Sequence, residues 1–380
     1  MKTAELPVIE LSGSPRERGR IHGETAKPLI ADMIEYWQAD LGNYGKNSVR
    51  SKPVDPNSYL DQFLSQADYL SAIKRWAPDL LEEVKGIAEG SGQTFENILG
   101  LQLVDEEWIF GLRRGLNKPT TKCTAFGVPD QTNGVSYAGQ NMDVPSWVEG
   151  KQVLLHVMPT ETSPEALIFS IAGSLGLNGL NASGLGITCN TLVQLNYAIN
   201  GLPVQFIVRS ILEKHSIDQA EQFLRSIPHA SGQNYILSAS GDMRCFECCG
   251  TSVARYAPDT YRGRVFHTNH PLVNQDESDV LPPKKRRSNN TVARLESISR
   301  RLGDATDTIT LGDIKAALAA HDDPDNPVSR RINIDNIGSS IGYTAGSSIY
   351  ELGVRPRFHL ASGPPCETEF KTFDFKGINQ

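Results

Sequence analysis

The sequence predicts an α+β protein in which sheets are covered by helices, and three observations predict it. Residues 1–122 read as a mainly helical segment, and residues 123–380 read as strand-rich. The strands carry near-continuous apolar runs, with long helical stretches beside them. Strands of that kind are buried on both faces, which calls for helices or a second sheet on each side. With 380 residues, 39% hydrophobic and 21% charged, the chain can bury a substantial core.

Taken in order, residues 16–33 set apolar side chains among good helix formers, and residues 59–76 continue in that style. Ala77-Pro78-Asp79 restarts a helix that runs through Ala88 and stops at Gly90-Ser91-Gly92; residues 95–110 form another. The polar stretch Asn117-Lys118-Pro119-Thr120-Thr121-Lys122 then breaks the composition. Strands over 123–128 and 135–143 flank Asn133-Gly134, a strong short hairpin signal. Further strands fall at 152–158, 166–172, 176–181 and 184–191, followed by a helical stretch over 203–227. A hairpin of 235–239 and 243–248 turns at Ser240-Gly241-Asp242. Residues 264–268 are strand-like, 289–301 and 311–320 helix-like, and strands at 347–351 and 358–361 close the series. The tract Pro282-Pro283-Lys284-Lys285-Arg286-Arg287-Ser288 reads as a solvated linker.

Charge and composition exclude several roles. A net charge of −7 gives no electrostatic reason to expect nucleic acid or an anionic membrane as partner. No apolar run approaches the ~20 residues that span a bilayer, and residues 1–10 carry no signal-peptide core. The six cysteines, Cys123, Cys189, Cys245, Cys248, Cys249 and Cys366, are few and irregularly spaced. That pattern argues against a disulfide scaffold and for the cytoplasm or a reducing organelle.

Cys123 is the most informative residue. It places a thiol at the first position of a strand whose hairpin partner delivers a carboxylate, Asp143, and a cleavable loop precedes it. Such an arrangement suits a chain that cuts itself. Attack of Cys123 on the Lys122 carbonyl gives a thioester, and water then frees an α-amine on Cys123. With an intrinsic pKa near ~8, that amine can serve as general base for its own thiol. The rival reading is a metal protein built on Cys245-Phe246-Glu247-Cys248-Cys249 and His267…His270. The ligand set is incomplete, with no second Cys-x-x-Cys pair, so no metal is expected.

An ordered set of short motifs covers most of the chain. It comprises Glu17-Arg18-Gly19-Arg20-Ile21-His22-Gly23, Trp76-Ala77-Pro78 with Glu82 to Ala88, and Cys123-Thr124-Ala125. Gly139-Gln140-Asn141-Met142-Asp143, Gly179-Leu180-Asn181-Ala182-Ser183-Gly184, His267-Thr268-Asn269-His270 and Pro327-Val328-Ser329 follow. The set resembles the isopenicillin N acyltransferase-like family of N-terminal nucleophile (Ntn) hydrolases. Two departures stand out. Lys122 precedes the nucleophile where the best-known member has glycine, and Ser329 is followed by Arg330-Arg331-Ile332.

The resemblance implies a four-layer αββα sandwich. It implies a self-processing cysteine amidohydrolase or acyltransferase that opens or transfers at a small-molecule amide C–N bond through a Cys123 thioester. Asn269 would stabilise the oxyanion and Asp143 would hold the α-ammonium or orient nearby donors, both side chains facing a pocket that contains the Cys123 sulfur. Lys122, Cys123, Thr124 and Ser329 would serve processing. Asn190, near the end of a central strand, is a second polar contact to substrate, and Asn181 is a turn former. No cofactor is implied; acyl-CoA is a co-substrate only if the enzyme transfers rather than hydrolyses. The fragments 1–122 and 123–380 would stay associated as one folded unit, with homo-oligomerisation left open. The first alternative is acyl-CoA-dependent transfer to an amino-acid-derived or beta-lactam amine, and the second a non-catalytic or metal-binding protein on the same scaffold.

Overall fold

The computed structural model describes residues 6–43, 55–116, 123–129, 134–279, 287–305, 308–333 and 342–376. Strand β1 (Val8–Leu11) comes first, then seven helices: α1 (Pro15–Thr25), α2 (Lys27–Asn43), α3 (Pro56–Ser65), α4 (Tyr69–Trp76), α5 (Pro78–Ser91), α6 (Phe95–Gln102) and α7 (Val104–Arg113). The hairpin pair β2 (Thr124–Val128) and β3 (Ser136–Pro145) follows, then β4 (Gln152–Val157), β5 (Ala166–Ile171), β6 (Asn178–Asn181) and β7 (Gly186–Thr191). Helices α8 (Val204–Leu212) and α9 (Ile217–Ser226) precede β8 (Gln233–Ala239), β9 (Asp242–Cys248), β10 (Val253–Tyr256) and β11 (Val265–His267). Helices α10 (Asn289–Leu302) and α11 (Leu311–Leu318) lead to β12 (Gly342–Leu352), β13 (Arg357–Ala361) and β14 (Lys371–Asp374).

Two sheets result, ordered β1-β4-β5-β6-β7-β8-β9-β10 and β11-β2-β3-β12-β13-β14. Between these strands, the described pairings are antiparallel except β1 with β4, which is parallel. The sheets pack face to face, β2 and β3 against β7 and β12 against β6. Helices α8 and α9 cover the first sheet, and α10 and α11 cover the second. This is the αββα order implied by the family resemblance.

Side chains bind the two sheets to each other. The Gln140 amide on β3 pairs with the backbone of Cys189 on β7, Nε2 to O at 3.1 Å and N to Oε1 at 2.7 Å. Tyr350 on β12 donates its hydroxyl toward Asn178 and the Ile187 carbonyl, both at 2.9 Å. Each bond satisfies polar groups that would otherwise be stranded between layers.

The helical segment is tied down by close packing and a buried charge cluster. Helix α1 starts in a capping box: Ser14 Oγ accepts from the Glu17 N–H at 3.4 Å, and the Glu17 carboxylate accepts from the Ser14 N–H at 2.8 Å. It crosses α5 so closely that a methyl at Gly19 would lie 1.9 Å from the Glu83 carbonyl oxygen, and one at Gly86 2.1 Å from that of Arg16. His22, one turn along, accepts from the Gly173 N–H at 3.0 Å. These contacts explain the Gly19…His22-Gly23 motif as a helix-packing signature. Glu83 on α5 is fully buried between Arg209 on α8 (3.0 and 3.1 Å) and Arg18 on α1 (3.2 Å), so the charges pair across three helices.

Several expectations change at element ends. The stretch 59–76 is two helices, α3 and α4, because Gln66 caps the first and Asp68 opens the second. The stretch 203–227 breaks between Leu212 and Ile217, where Ser216 caps α9 by accepting from the Gln219 N–H. Residues 95–110 divide at Leu103 into α6 and α7. Strand β12 starts at Gly342, earlier than residue 347, and carries a bulge between Thr344 and Gly346. Strands β1, β10 and β14 have only 4 residues each, too short for alternation to register. The Lys118–Lys122 loop, Asn133 and most of the 282–288 tract lie outside the described residues.

Candidate active site

Strand β2 brings Cys123 to the end of the sandwich. The residue is 2% exposed, and its Sγ lies 3.5 Å from Met142 Sδ and 3.9 Å from the Asp143 carbonyl oxygen. Burial, then the nearby Asp143 charge, push the thiol up to about 12. In the uncut chain it is therefore a neutral thiol.

The sulfur forms part of the wall of a cavity of about 60 Å³. Most of that wall is apolar, with Trp108 from α7, Met142 and Val144 from β3, Trp147, and Val204 and Val208 from α8. Strand β3 contributes the residues on either side of Asp143. The pleat therefore turns the Asp143 carboxylate to the opposite face, where Oδ1 accepts from the Thr344 hydroxyl at 2.7 Å. Asp143 itself is not among the described walls of the cavity: its carboxylate stands across the pleat from Met142 and Val144, and its charge still acts on the Cys123 thiol.

A fully buried arginine, Arg294 on α10, organises that second face. Its Nη1 donates to the Cys123 carbonyl at 2.5 Å and to Thr124 Oγ1 at 2.9 Å. Its Nη2 donates to Asn269 Oδ1 at 3.0 Å, and its Nε to Asn290 Oδ1 at 2.9 Å. Burial pulls Arg294 down to about 10, with the Asp143 and Cys123 charges acting against that fall. The guanidinium stays charged at neutral pH and fixes both the Cys123 backbone and the Asn269 amide.

Asn269 is held from several sides. Its Nδ2 donates to the Thr191 carbonyl at 3.1 Å, and its backbone N–H donates to Thr291 Oγ1 at 2.8 Å. Glu247 on β9 gathers the backbone N–H groups of Leu272 (2.5 Å), Val273 (3.1 Å) and Asn274 (2.6 Å), and His267 Nε2 at 2.8 Å. Burial would raise the Glu247 carboxyl, but His267 and these backbone donors outweigh it and hold it below the usual range. The loop that carries Asn269 is thus wrapped around a buried carboxylate.

The other sequence-derived candidates fall in varied places. Thr124 is buried under Arg294. Ser329 is buried too, and its Oγ accepts from the Cys366 N–H at 3.4 Å. The next residue, Arg330, donates its N–H to Thr344 Oγ1 at 2.9 Å, so this segment reaches Asp143 through Thr344. Cys189 and Thr191 line the cavity. Asn190 between them points to the other face of β7, where its Oδ1 accepts from Asn234 at 2.9 Å. Asn181 works as a turn former: Oδ1 accepts from the N–H groups of Ser183 and Leu185, and Nδ2 donates to the carbonyls of Leu212 and Lys214. Lys122 lies outside the described residues. Among the described residues, no group of three His, Cys, Asp or Glu side chains is placed to hold a metal ion. Cys245 instead donates to Asn234 Oδ1 at 2.9 Å. No described helix is long and apolar enough to cross a membrane.

Sequence reasoning missed Arg294, Thr344 and Asp105. Arg294 carried one signal: it falls on the buried stripe of α10 with Thr291, Ile298 and Leu302. A charge on an apolar stripe needs a dedicated partner.

The two-sheet sandwich between helical layers is the Ntn-hydrolase architecture, whose enzymes are amidohydrolases and acyltransferases. Residues 130–354 match the family model described as acyl-coenzyme A:6-aminopenicillanic acid acyl-transferase, and the chain belongs to that family. The matched span holds Asp143, Asn269 and Arg294 and begins just after Cys123. Among curated proteins, none matches the sequence. The chain is similar to a variant of conjugated bile acid hydrolase from Clostridium perfringens at 14% identity, covering 67% of this chain and 97% of that one, with a TM-score of 0.44. It is similar to penicillin V acylase from Agrobacterium tumefaciens at 15% identity, 67% and 86% coverage, and a TM-score of 0.43. An N-acylethanolamine-hydrolyzing acid amidase orthologue from Caenorhabditis elegans shows 14% identity, 60% and 92% coverage, and a TM-score of 0.41.

Proposed function

We propose that the protein is a self-processing cysteine amidohydrolase that opens small-molecule amide C–N bonds through a thioester on Cys123. The observation that carries this is the position of Cys123: its sulfur walls an apolar cavity while Arg294 holds its carbonyl. The thiol's hydrogen-bond partners among the described residues are Met142 Sδ and the Asp143 carbonyl, neither of which is a base. A thiol pushed up to about 12 needs one.

Self-cleavage supplies it. The Cys123 sulfur adds to the Lys122 carbonyl, the C–N bond breaks, and the leaving nitrogen takes up the thiol's proton as the acyl group shifts to sulfur. Water hydrolyses the thioester, giving a carboxylate on Lys122 and restoring the Cys123 thiol beside the α-amine that the shift has freed. That amine accepts the thiol proton, and the thiolate attacks the substrate amide. Asn269 serves as the neutral donor to the oxyanion, and Asp143 as the carboxylate that holds the α-ammonium. The fragments 1–122 and 123–380 remain one folded unit, and no cofactor takes part.

Hydrolysis is the favoured outcome because water is always present, whereas transfer needs a bound amine acceptor and its exclusion of water. Intact mass and N-terminal sequencing of purified protein test processing. A panel of N-acyl amines with and without acyl-CoA separates hydrolysis from transfer. A wild-type protein that stays uncut yet cleaves amides would refute the α-amine mechanism.

A further inference from the structure

One charged residue stands on the wall of the cavity beside Cys123. Asp105, in the first turn of α7, is the only Asp, Glu, Lys, Arg or His among its described walls. Its Oδ2 accepts from Gln233 Nε2 at 2.9 Å and from Thr191 Oγ1 at 3.2 Å. Its Oδ1 makes no hydrogen bond among the described residues, and the residue as a whole is half-buried. The next carboxylate, Glu106, turns away and accepts from the Ser231 hydroxyl at 2.7 Å and the Val204 N–H at 3.2 Å.

An ionised oxygen against an apolar surface is costly unless a cation or donor meets it. The nearby protein cation, Arg294, is committed to Cys123, Thr124, Asn269 and Asn290. Arg113, at the far end of α7, lies over the Tyr197 ring. Burial pushes the Asp105 carboxyl up to about 6, with Gln233 and Thr191 limiting the rise, so it is mostly ionised at neutral pH. Solvent meets Oδ1 in the free chain, and a ligand that fills the cavity would have to replace that solvent with a donor of its own.

We propose that Asp105 is a specificity residue that receives a protonated amine carried on the acyl group of the substrate. The inference rests on Cys123 being the nucleophile. A largely enclosed apolar cavity suits the acyl part, which stays attached to sulfur while the amine product leaves for solvent and water takes its place. The methylenes between carbonyl and ammonium would lie along Trp108, Val204 and Val208, and the ammonium would end at Oδ1.

Paired p-nitroanilides test this: ω-aminoacyl chains from glycyl to 6-aminohexanoyl against alkanoyl chains of equal length, on wild type and Asp105→Asn. At one chain length the wild type should prefer the amino substrate by about tenfold or more in kcat/KM, because an alkanoyl chain leaves the carboxylate unpaired. Asp105→Asn should abolish that preference and leave alkanoyl turnover within about threefold. Two results would overturn the proposal: wild type handling alkanoyl chains as well at every length, or the variant losing both series equally, which marks a structural role. If no anilide is cleaved, the amidase reading fails, and binding decides this one. Cys123→Ala and Cys123→Ala/Asp105→Asn are then titrated calorimetrically with ω-aminoalkanamides and alkanamides, since the cavity exists in the uncut chain. Tighter amine binding that needs Asp105 supports the proposal, and equal binding by both proteins overturns it.

Discussion

Arg294 Nη2 and Asn269 Oδ1 are 3.0 Å apart, so the orientation of the Asn269 amide is set by a charge 25 residues further along the chain. With Oδ1 committed to the guanidinium, the Nδ2 protons face Thr191, a wall of the cavity. Arg294 is therefore a positioning residue for the donor expected to meet the oxyanion. Removing a single oxyanion donor costs ~10²–10³ in turnover, so Asn269→Ala should lower kcat by about that much with little change in KM. Arg294→Lys keeps the charge but loses the fork that spans Cys123 and Asn269. It should lower kcat in the same direction, and the double variant should lose less than the sum of the two effects. Strict additivity would mean that Arg294 does not act through Asn269.

Cys123→Ala should remain a single chain of 380 residues, while the wild type yields fragments beginning at Met1 and Cys123 without added protease. Cys123→Ser should still process, because a hydroxyl can make the acyl shift, but should be much weaker on amides. SDS gels and N-terminal sequencing read the first outcome, and steady-state rates the second. Cleavage of the alanine variant would show that another agent cuts the chain.

Glu83 meets both Arg18 and Arg209 in the protein interior. Glu83→Gln would remove the carboxylate that pairs with two buried guanidinium groups, leaving Glu213 as the remaining negative charge beside them, and breaking such a group from one side typically costs about 3–5 kcal/mol. Urea denaturation should show a fall of that order, with α1 and α5 losing hydrogen-exchange protection first. A change under about 1 kcal/mol would mean that water reaches the cluster.

Stability should also carry a pH slope from Glu106. Burial, then the neighbouring Asp105 charge, push its carboxyl up to about 8 from the ordinary 4.5. A raised carboxyl pKa means that the folded state holds its proton more tightly than the unfolded chain. Stability is then full below about 4.5, falls as pH rises, and levels off above about 8. At about 1.4 kcal/mol per pKa unit, the loss is of the order of a few kcal/mol. Urea midpoints at pH 5 and pH 8 should fall for wild type, and Glu106→Gln should flatten that difference. Parallel falls in both proteins would assign the slope to another group.

Much of the molecule was legible locally. Cys123, Asp143 and Asn269 sit in short motifs, and the strand pattern after Cys123 anticipated the paired sheets. Other parts depend on partners far apart in sequence. The Arg294 contacts to Cys123 and Thr124 span 171 and 170 positions, and no local period encodes them. Asp105 lies in Asp105-Glu106-Glu107, which on sequence alone looks like an acidic first helical turn favoured by the helix dipole. Only the packing of α7 against the cavity separates the carboxylate that lines it from the two that turn inward. Strand β3 offers alternate residues to opposite sides, and the sulfur takes the side of Met142, so the motif alone does not give the side on which the Asp143 carboxylate stands.

Strand β1 bears on what a cut before Cys123 would do to the fold. It zips in parallel along β4, with the Leu154 N–H on the Pro7 carbonyl and the Met158 N–H on the Leu11 carbonyl, both at 2.9 Å. A scission before Cys123 would therefore part the covalent thread while leaving the fabric sewn. The smaller piece contributes an outer row to a sheet owned by the larger one, and pulling it out would bare the hydrogen-bonding rim of β4, a surface prone to pair with strangers. The two pieces should melt together in one transition whose midpoint is nearly that of the uncut Cys123→Ala chain.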